Sequence, residues 1–265
     1  MNDKQQAMPD VQGYADLRHV AITRVGIKSI RSPITVVDKR QPQHTVADFA
    51  FSVYLPEDRK GTHMSRFSQM LSDYRPTVYS AATFAEMYRE MLTRLDSNAG
   101  TITVTFPYFI EKEAPVTKLK GMMDYNITLE VSGNSSGSVD TRVKIEVPVT
   151  TLCPCSKEIS QYGAHSQRSV ISIDALLSDK NNFSWEDVIA SAEQQASAQL
   201  YSQLKRADEK FVTEHAYENP RFVEDLIREV AVQLNDNATI EAYVLEVENF
   251  ESIHNHSAWA RIEKQ

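Results

Sequence analysis

The sequence predicts an α+β fold made of two tandem strand–strand–helix–helix–strand–strand modules on antiparallel sheets. Three observations predict it. The same order of elements runs twice along the chain, with no residue-level repeat beneath it. The strands come in consecutive pairs, which favours antiparallel sheets with the helices on one face. One turn-rich run, Asn134–Ser138, separates the two passes.

Residues 1–19 read as a polar arm. Val20–Val37 and Thr45–Leu55 are strand-like, the second with Phe49, Phe51, Val53 and Leu55 on one side. Ser65–Tyr74 carries Phe67, Met70 and Leu71 at helical spacing. Thr83–Leu95 repeats the pattern with Phe84, Met87, Met91 and Leu95, and Gly100 is expected to close that helix. Thr101–Phe109 alternates cleanly and Tyr125–Val131 is a further strand, completing a first module over 20–133. The boundary is expected between Ser132 and Val139. The second module, 139–265, opens with strands Thr141–Val149 and Ser169–Leu176. A long helix, Trp185–Leu204, is capped by Ser184, and Asn219-Pro220 introduces another through Phe222, Leu226, Val230 and Leu234. Ile240–Val247 and Ala258–Ile262 close the module as strands.

The 265 residues are 42% apolar and 24% charged, which excludes disorder and coiled coil and allows a sizeable core. No run approaches the ~20 apolar residues of a membrane span, and the polar start lacks the apolar region of a secretory signal. No membrane partner is expected. A net charge of −8 argues against a broad grip on nucleic acid, while leaving room for one small polyanion in a basic pocket. The two cysteines, Cys153 and Cys155, flank Pro154 and are too close for an unstrained bridge. A reducing, cytoplasmic location is therefore expected, with the thiols kept for chemistry or metal.

Four clusters could carry chemistry. In Val149–His165 both cysteines sit where a strand gives way to a loop, and a histidine follows. Thiolate and imidazole are the ligands that a borderline dication such as zinc prefers. A free Cys is often only a small buried apolar side chain, but Pro, Ser and Lys neighbours make poor core. In Glu248–His256, His254 and His256 would share a face if the strand continues, suited to metal binding or proton transfer near neutral pH. The plainer reading is two surface histidines. Lys205–His215, at the end of the long helix, could equally be a solvated charged terminus. Lys60–Arg66 is basic and precedes a helix, a usual place for an anion, though charged helix starts are common. Glu224 interrupts an apolar helix pattern and would ordinarily be an exposed helical residue.

Together these segments resemble GTP cyclohydrolase I of the type IB branch. The resemblance is carried by Leu152-Cys-Pro-Cys-Ser-Lys-Glu-Ile-Ser-Gln-Tyr-Gly-Ala-His165, Lys60-Gly-Thr-His-Met-Ser-Arg-Phe67, Asp208-Glu-Lys-Phe-Val-Thr-Glu214, Ala216-Tyr-Glu-Asn-Pro220 and Glu248-Asn-Phe-Glu-Ser-Ile-His-Asn-His256. It extends over about Val20–Ile262. The Cys-Glu-His-His run of the type IA enzymes and the Glu-Ser-Lys-Ser type motif of the related nitrile reductases are both absent. The resemblance implies a tunnelling fold assembled as a homotetramer. It implies hydrolysis of GTP to 7,8-dihydroneopterin triphosphate and formate, the first step towards tetrahydrofolate. It also implies one divalent metal per active site (zinc, manganese or iron) held by Cys153, His165 and Glu209, a mixed soft and hard set consistent with tolerance of several metals.

The residue types suit that chemistry. Carbon 8 of guanine must accept water, and proton transfer to the ring nitrogens calls for groups such as His254 and His256. By resemblance Glu224 would accept both donors of the guanine edge. Lys60, Arg66, Lys157, Lys205 and Arg206 are available to the triphosphate. Cys155 is expected near the metal, with its role open. Two alternatives stand beside this reading. One is a nitrile reductase on the same fold, with Cys155 as nucleophile and NADPH as reductant. The other is a non-enzymatic module with a structural zinc, whose site would be closed by four protein ligands.

Overall fold

The structure, a computed structural model, describes residues 10–134, 137 and 139–265. Its elements are β1 (Ile22–Val36), β2 (Gln43–Leu55), α1 (Met64–Asp73), β3 (Val78–Tyr79), α2 (Ala81–Arg94), β4 (Ala99–Glu113) and β5 (Lys120–Asn134). They continue with β6 (Val139–Leu152), α3 (Pro154–Ile159), β7 (Ser166–Leu177), α4 (Trp185–Gln194), α5 (Arg206–Glu218), α6 (Val223–Asn235), β8 (Ile240–Asn249) and β9 (Ala258–Lys264). The strands form one nine-stranded sheet in the order β3-β1-β2-β4-β5-β6-β7-β8-β9, antiparallel except where β3 joins β1. The expected α+β class with antiparallel strands is present.

Period-two alternation explains the layering. Phe49, Phe51, Phe106, Ile145, Ile173 and Leu245 all point to one face and are at most 1% exposed. Phe67 of α1, Phe84 of α2, Trp185 of α4 and Leu226 of α6 cover that face in a single core. At about 25 cal/mol per Å² of apolar surface, burial on this scale is the main stabilising term. The opposite face is open, with Arg142 bonded to Asp174 and Arg261 to Glu246 beside exposed Val46, Phe109 and Trp259. No helix among the described residues is long and apolar enough to cross a membrane.

Several elements differ from the sequence expectation. Of the polar arm, residues 1–9 lie outside the described residues. Beyond them the arm is tied to the end of β2, where Ala15 pairs with Arg59 and the Tyr14 carbonyl accepts from Lys60 N. Gly100 does not cap α2. That helix ends at Leu95, and Gly100 lies in β4, where a Cβ would come within 2.6 Å of the Ser52 carbonyl oxygen. The boundary expected between Ser132 and Val139 falls on the β5–β6 connection, of which residues 135, 136 and 138 lie outside the described residues. Because β5 pairs directly with β6, from Gly133↔Val139 to Asn126↔Glu146, the two halves share one sheet. The second half carries three helices, not two, between β7 and β8.

The helix expected over Trp185–Leu204 stops at Gln194, and the sheet supplies the reason. Pairing of β5 with β6 ends at Asn126↔Glu146, so the rest of β6 would leave backbone groups open on that side. Residues 195–205 fill the opening instead. Ala198 exchanges hydrogen bonds with Thr150, and Leu152 N donates to Ser197 Oγ at 3.0 Å. A Cβ on Gly121 of β5 would come within 2.2 Å of Ser202 Oγ, so glycine there leaves room for this segment to lie close without the Ser202 side chain turning away.

α4 is docked at its start by Asp38, whose Oδ2 accepts from Ser184 Oγ and Glu186 N at 2.9 and 2.8 Å. Burial pushes the Asp38 carboxyl up to about 6 against those two bonds, with Glu186 and Asp187 adding repulsion. A raised carboxyl contributes stability fully below the unfolded value near ~4, and this is lost as pH rises through about 6. Asp38→Asn keeps an acceptor and removes the charge. Its stability against unfolding, relative to wild type, should be about 1 kcal/mol greater at pH 7 than at pH 4, the full shift being discounted for partial exposure. Equal effects at the two pH values would refute this.

Candidate active site

Antiparallel order brings the ends of β6 and β8 and the starts of β7 and β9 to one edge of the sheet. Cys153 follows β6, and His165 precedes β7. The loop between them is closed by Cys153 N donating to the His165 carbonyl at 3.1 Å. Ser156 locks it further, since its Oγ donates to the Cys153 carbonyl and accepts from His165 N, both at 3.1 Å. The cysteines are not in a plain loop, because Pro154 starts the short helix α3 with Cys153 as its cap. The Cys153 Sγ accepts from Ser156 N at 3.5 Å. Cys153 is half-buried and Cys155 exposed, both as free thiols. The His165 side chain is mostly buried, with Nδ1 3.0 Å from Gln167 Oε1 and 3.9 Å from Glu251 Oε2.

Glu209 arrives on a separate helix. The Lys205–His215 cluster is not the end of a long helix but the body of α5, for which Lys205 is the cap and Arg206 the first residue. Asp208, fully buried, pins its start to the β4–β5 turn. It accepts from Val116 N and Thr117 N at 2.8 Å, from Thr117 Oγ1 at 2.6 Å and from Lys205 N at 2.9 Å. Burial pushes this carboxyl up, but the bonds from Thr117, Lys205 and Val116 outweigh it and hold the group well below the usual carboxylate range. Further along, Val212 and Ala216 pack against Leu152, Ala164 and Ala198. Glu209 precedes Val212 by three residues and Ala216 by seven, so it continues the stripe that faces the cysteine loop.

Glu224 sits exposed in the first turn of α6. Arg221 ties that helix start to the same place, its N–H donating to the Leu152 carbonyl at 3.0 Å. His254 and His256 do not extend a strand, because β8 ends at Asn249. They lie exposed in the connection to β9, with rings stacked at 5.0 Å between centroids. Phe250 N, donating to the Arg168 carbonyl, holds the start of that connection against β7. Lys157 reaches across to Tyr217, donating to its carbonyl and lying 4.5 Å from its ring centroid. A cleft of about 820 Å³ lies between this loop and α5, lined by Tyr162, Gly163, Val212 and Tyr217.

Lys60 and Arg66 are elsewhere. They follow β2, whose end is level with the start of β6, about 40 Å along the strands from Cys153. There Lys60 lies over the Tyr14 ring and Arg66 donates to the Arg94 carbonyl. The edge thus gathers Cys153, Cys155, Lys157, His165, Lys205, Arg206, Glu209, Glu224, His254 and His256, and leaves out those two.

Among the described residues no group of three His, Cys, Asp or Glu side chains is close enough to form a ready-made metal site. The donors present nevertheless fit one. Cys153 and His165 are joined backbone to backbone, the imidazole has an outer hydrogen-bond partner of the kind that orients a ligating histidine, and an exposed carboxylate lies on the facing helix stripe. Gln167, Glu251, Asp208 and Arg221 are additions that the sequence reading did not single out. Gln167 could have been found from alternation, being two residues beyond His165.

Comparison with solved proteins defines the fold class first. The chain superposes on uricase from Arthrobacter globiformis with a TM-score of 0.53 at 9% identity, covering 91% of this chain and 93% of that one. A hyper-thermostable mutant of AgUricase gives 0.51 at 10% identity, with 91% of each chain covered. At such identity the likeness concerns the fold alone, which is the tunnelling fold.

Sequence relatives then give the family. The family described as type I GTP cyclohydrolase folE2 matches residues 8–260. GTP cyclohydrolase FolE2 2 of Dechloromonas aromatica is 51% identical over 99% of this chain and 96% of its own length. GTP cyclohydrolase FolE2 of Nitrosomonas eutropha is 52% identical over 98% and 96%. The chain belongs to the type I GTP cyclohydrolase FolE2 family, the type IB branch expected from its motifs. Neither the nitrile reductase nor the structural-zinc reading finds support among these matches.

Proposed function

We propose that the chain, as a metal-dependent GTP cyclohydrolase, converts GTP and water to 7,8-dihydroneopterin triphosphate and formate at this edge of the sheet, the entry step to tetrahydrofolate. The observation that supports it is the convergence of the Cys153–His165 loop with the middle and end of α5 and the start of α6. Cys153, His165 and Glu209 would hold one divalent ion, zinc, manganese or iron. When bound, the ion supplies a Lewis acid that makes water a competent nucleophile near neutral pH.

The chain's own groups do the rest. Glu224 accepts the ring N–H and the amino group of guanine, fixing which edge of the base enters. His254 and His256, exposed and stacked, would pass protons to the nitrogens released as the imidazole ring opens. Cys155, exposed one residue into α3, would contact substrate or metal. Lys205 and Arg206, exposed at the start of α5, suit the triphosphate. Lys157 would serve only by leaving the Tyr217 carbonyl. Lys60 and Arg66 can reach such a site only from another copy of the chain, which favours a homo-oligomer, in our reading a tetramer. Free thiols in the site suit a reducing cytoplasm.

Incubating the purified chain with GTP and either zinc or manganese, then oxidising the product, should yield a fluorescent pterin. No pterin with any of zinc, manganese or iron would overturn the assignment. Glu209→Gln tests the ligand set. It removes the hard oxygen charge, so activation by manganese should fall on the order of tenfold further than activation by zinc, which thiolate and imidazole still hold. Equal losses in paired metal titrations would remove Glu209 from the metal.

A further inference from the structure

A line of buried polar side chains runs from His165 into the interior. Gln167 Oε1 lies 3.0 Å from His165 Nδ1, and Gln167 Nε2 donates to Thr151 Oγ1 at 2.8 Å. Thr151 Oγ1 lies 2.8 Å from Ser169 Oγ, which donates to Asn249 Oδ1 at 2.8 Å. The residues come from three adjacent strands, β6, β7 and β8. Gln167 is 7% exposed, Asn249 2%, and Thr151 and Ser169 not at all. Polar groups buried this deeply are costly unless each finds a partner, and here each does.

The Glu251 carboxylate and the direction of these bonds together point to the nitrogen of His165 that carries the proton. Asn249 Oδ1 accepts the Ser169 hydrogen, so Ser169 Oγ accepts from Thr151. Thr151, having donated, accepts from Gln167 Nε2, which turns the amide oxygen of Gln167 towards His165. An oxygen at that position calls for a hydrogen on Nδ1. Glu251 gives the same answer independently. Its Oε2 lies 3.9 Å from Nδ1, and a carboxylate only accepts. Running the bonds the other way would set a bare Nδ1 lone pair towards that carboxylate.

We propose that Gln167 is a positioning residue for His165, oriented by Thr151, Ser169 and Asn249 so that the imidazole keeps its hydrogen on Nδ1 and offers the Nε2 lone pair outward. This rests on the metal reading above only for what Nε2 then binds. Metal ligands held by such outer partners typically lose 10–100-fold in affinity when the partner is removed.

The test uses the full-length chain. With nitrogen-labelled histidine, long-range proton–nitrogen correlation spectra of the metal-free protein report the His165 tautomer, assigned against His165→Gln. Wild type should show the Nδ1–H form. Gln167→Met keeps the length and removes both amide atoms. It should lose the single tautomer and weaken zinc binding on the order of 10–100-fold in competition with a chelating dye. Gln167→Glu, which retains an acceptor facing Nδ1, should restore both readouts. Wild-type His165 protonated on Nε2, or Gln167→Met binding zinc within about twofold of wild type, overturns the proposal. If Gln167→Met does not fold, the wild-type tautomer decides alone: Nδ1–H upholds the proposal and Nε2–H overturns it. A wild type showing the Nδ1–H form yet taking up no zinc would defeat the metal reading and leave the positioning role of Gln167 standing.

Discussion

Cys153→Ala should abolish GTP turnover, a loss of at least about a thousandfold, and strip the chain of bound metal while leaving it folded. A thiolate is the softest donor at this edge, and a three-ligand site that loses it keeps only one imidazole and one carboxylate. The fold should survive because little of it depends on the sulfur. Sγ is half-buried and accepts only the long contact from Ser156 N. The loop itself is closed through backbone groups and the Ser156 hydroxyl, which alanine leaves in place. Metal analysis, turnover and a melting curve on one preparation check this. Full metal content together with full activity would show that Cys153 is no ligand.

The second large effect is expected at Glu224. Guanine presents a ring N–H and an amino group side by side, and one carboxylate can accept both. Adenine carries an acceptor at the ring position, so it would meet the carboxylate with repulsion and leave it unmatched, a mismatch that polar sites reject strongly. Glu224→Gln preserves shape but turns one acceptor into a donor. It should raise KM for GTP and lower kcat, together about 2–4 kcal/mol of transition-state binding once substrate covers the group. The placement is suitable, since the carboxylate is exposed at the start of α6, which Arg221 anchors beside Cys153. A surface residue of an ordinary helix would cost almost nothing on substitution. Steady-state kinetics within about twofold of wild type, roughly 0.4 kcal/mol, would refute the role.

The sequence by itself determined which segments alternate and which repeat at helical spacing. Phe49 to Leu55, Ile102 to Phe106 and Leu226 to Leu234 therefore read correctly, because burial on one face imposes its period locally. It also determined the chemistry on offer, since Cys153, Cys155 and His165 fall within one short stretch of the chain. Where helices stop and which residues meet was decided only by the tertiary structure. Residues 195–205 leave helical form because β5 and β6 part beyond Glu146, and the exposed backbone of β6 requires a partner from outside. α5 is a separate helix because Asp208 bonds to Thr117, ninety-one residues away. Strand register sets Lys60 and Arg66 at the opposite end of the sheet from Cys153, although their basic character marks them equally in the sequence. The same register aligns Gln167, Thr151, Ser169 and Asn249 behind His165. Periodicity is a property of one segment, whereas each of these outcomes satisfies a buried polar group with a partner from another, and only the folded chain brings such pairs together.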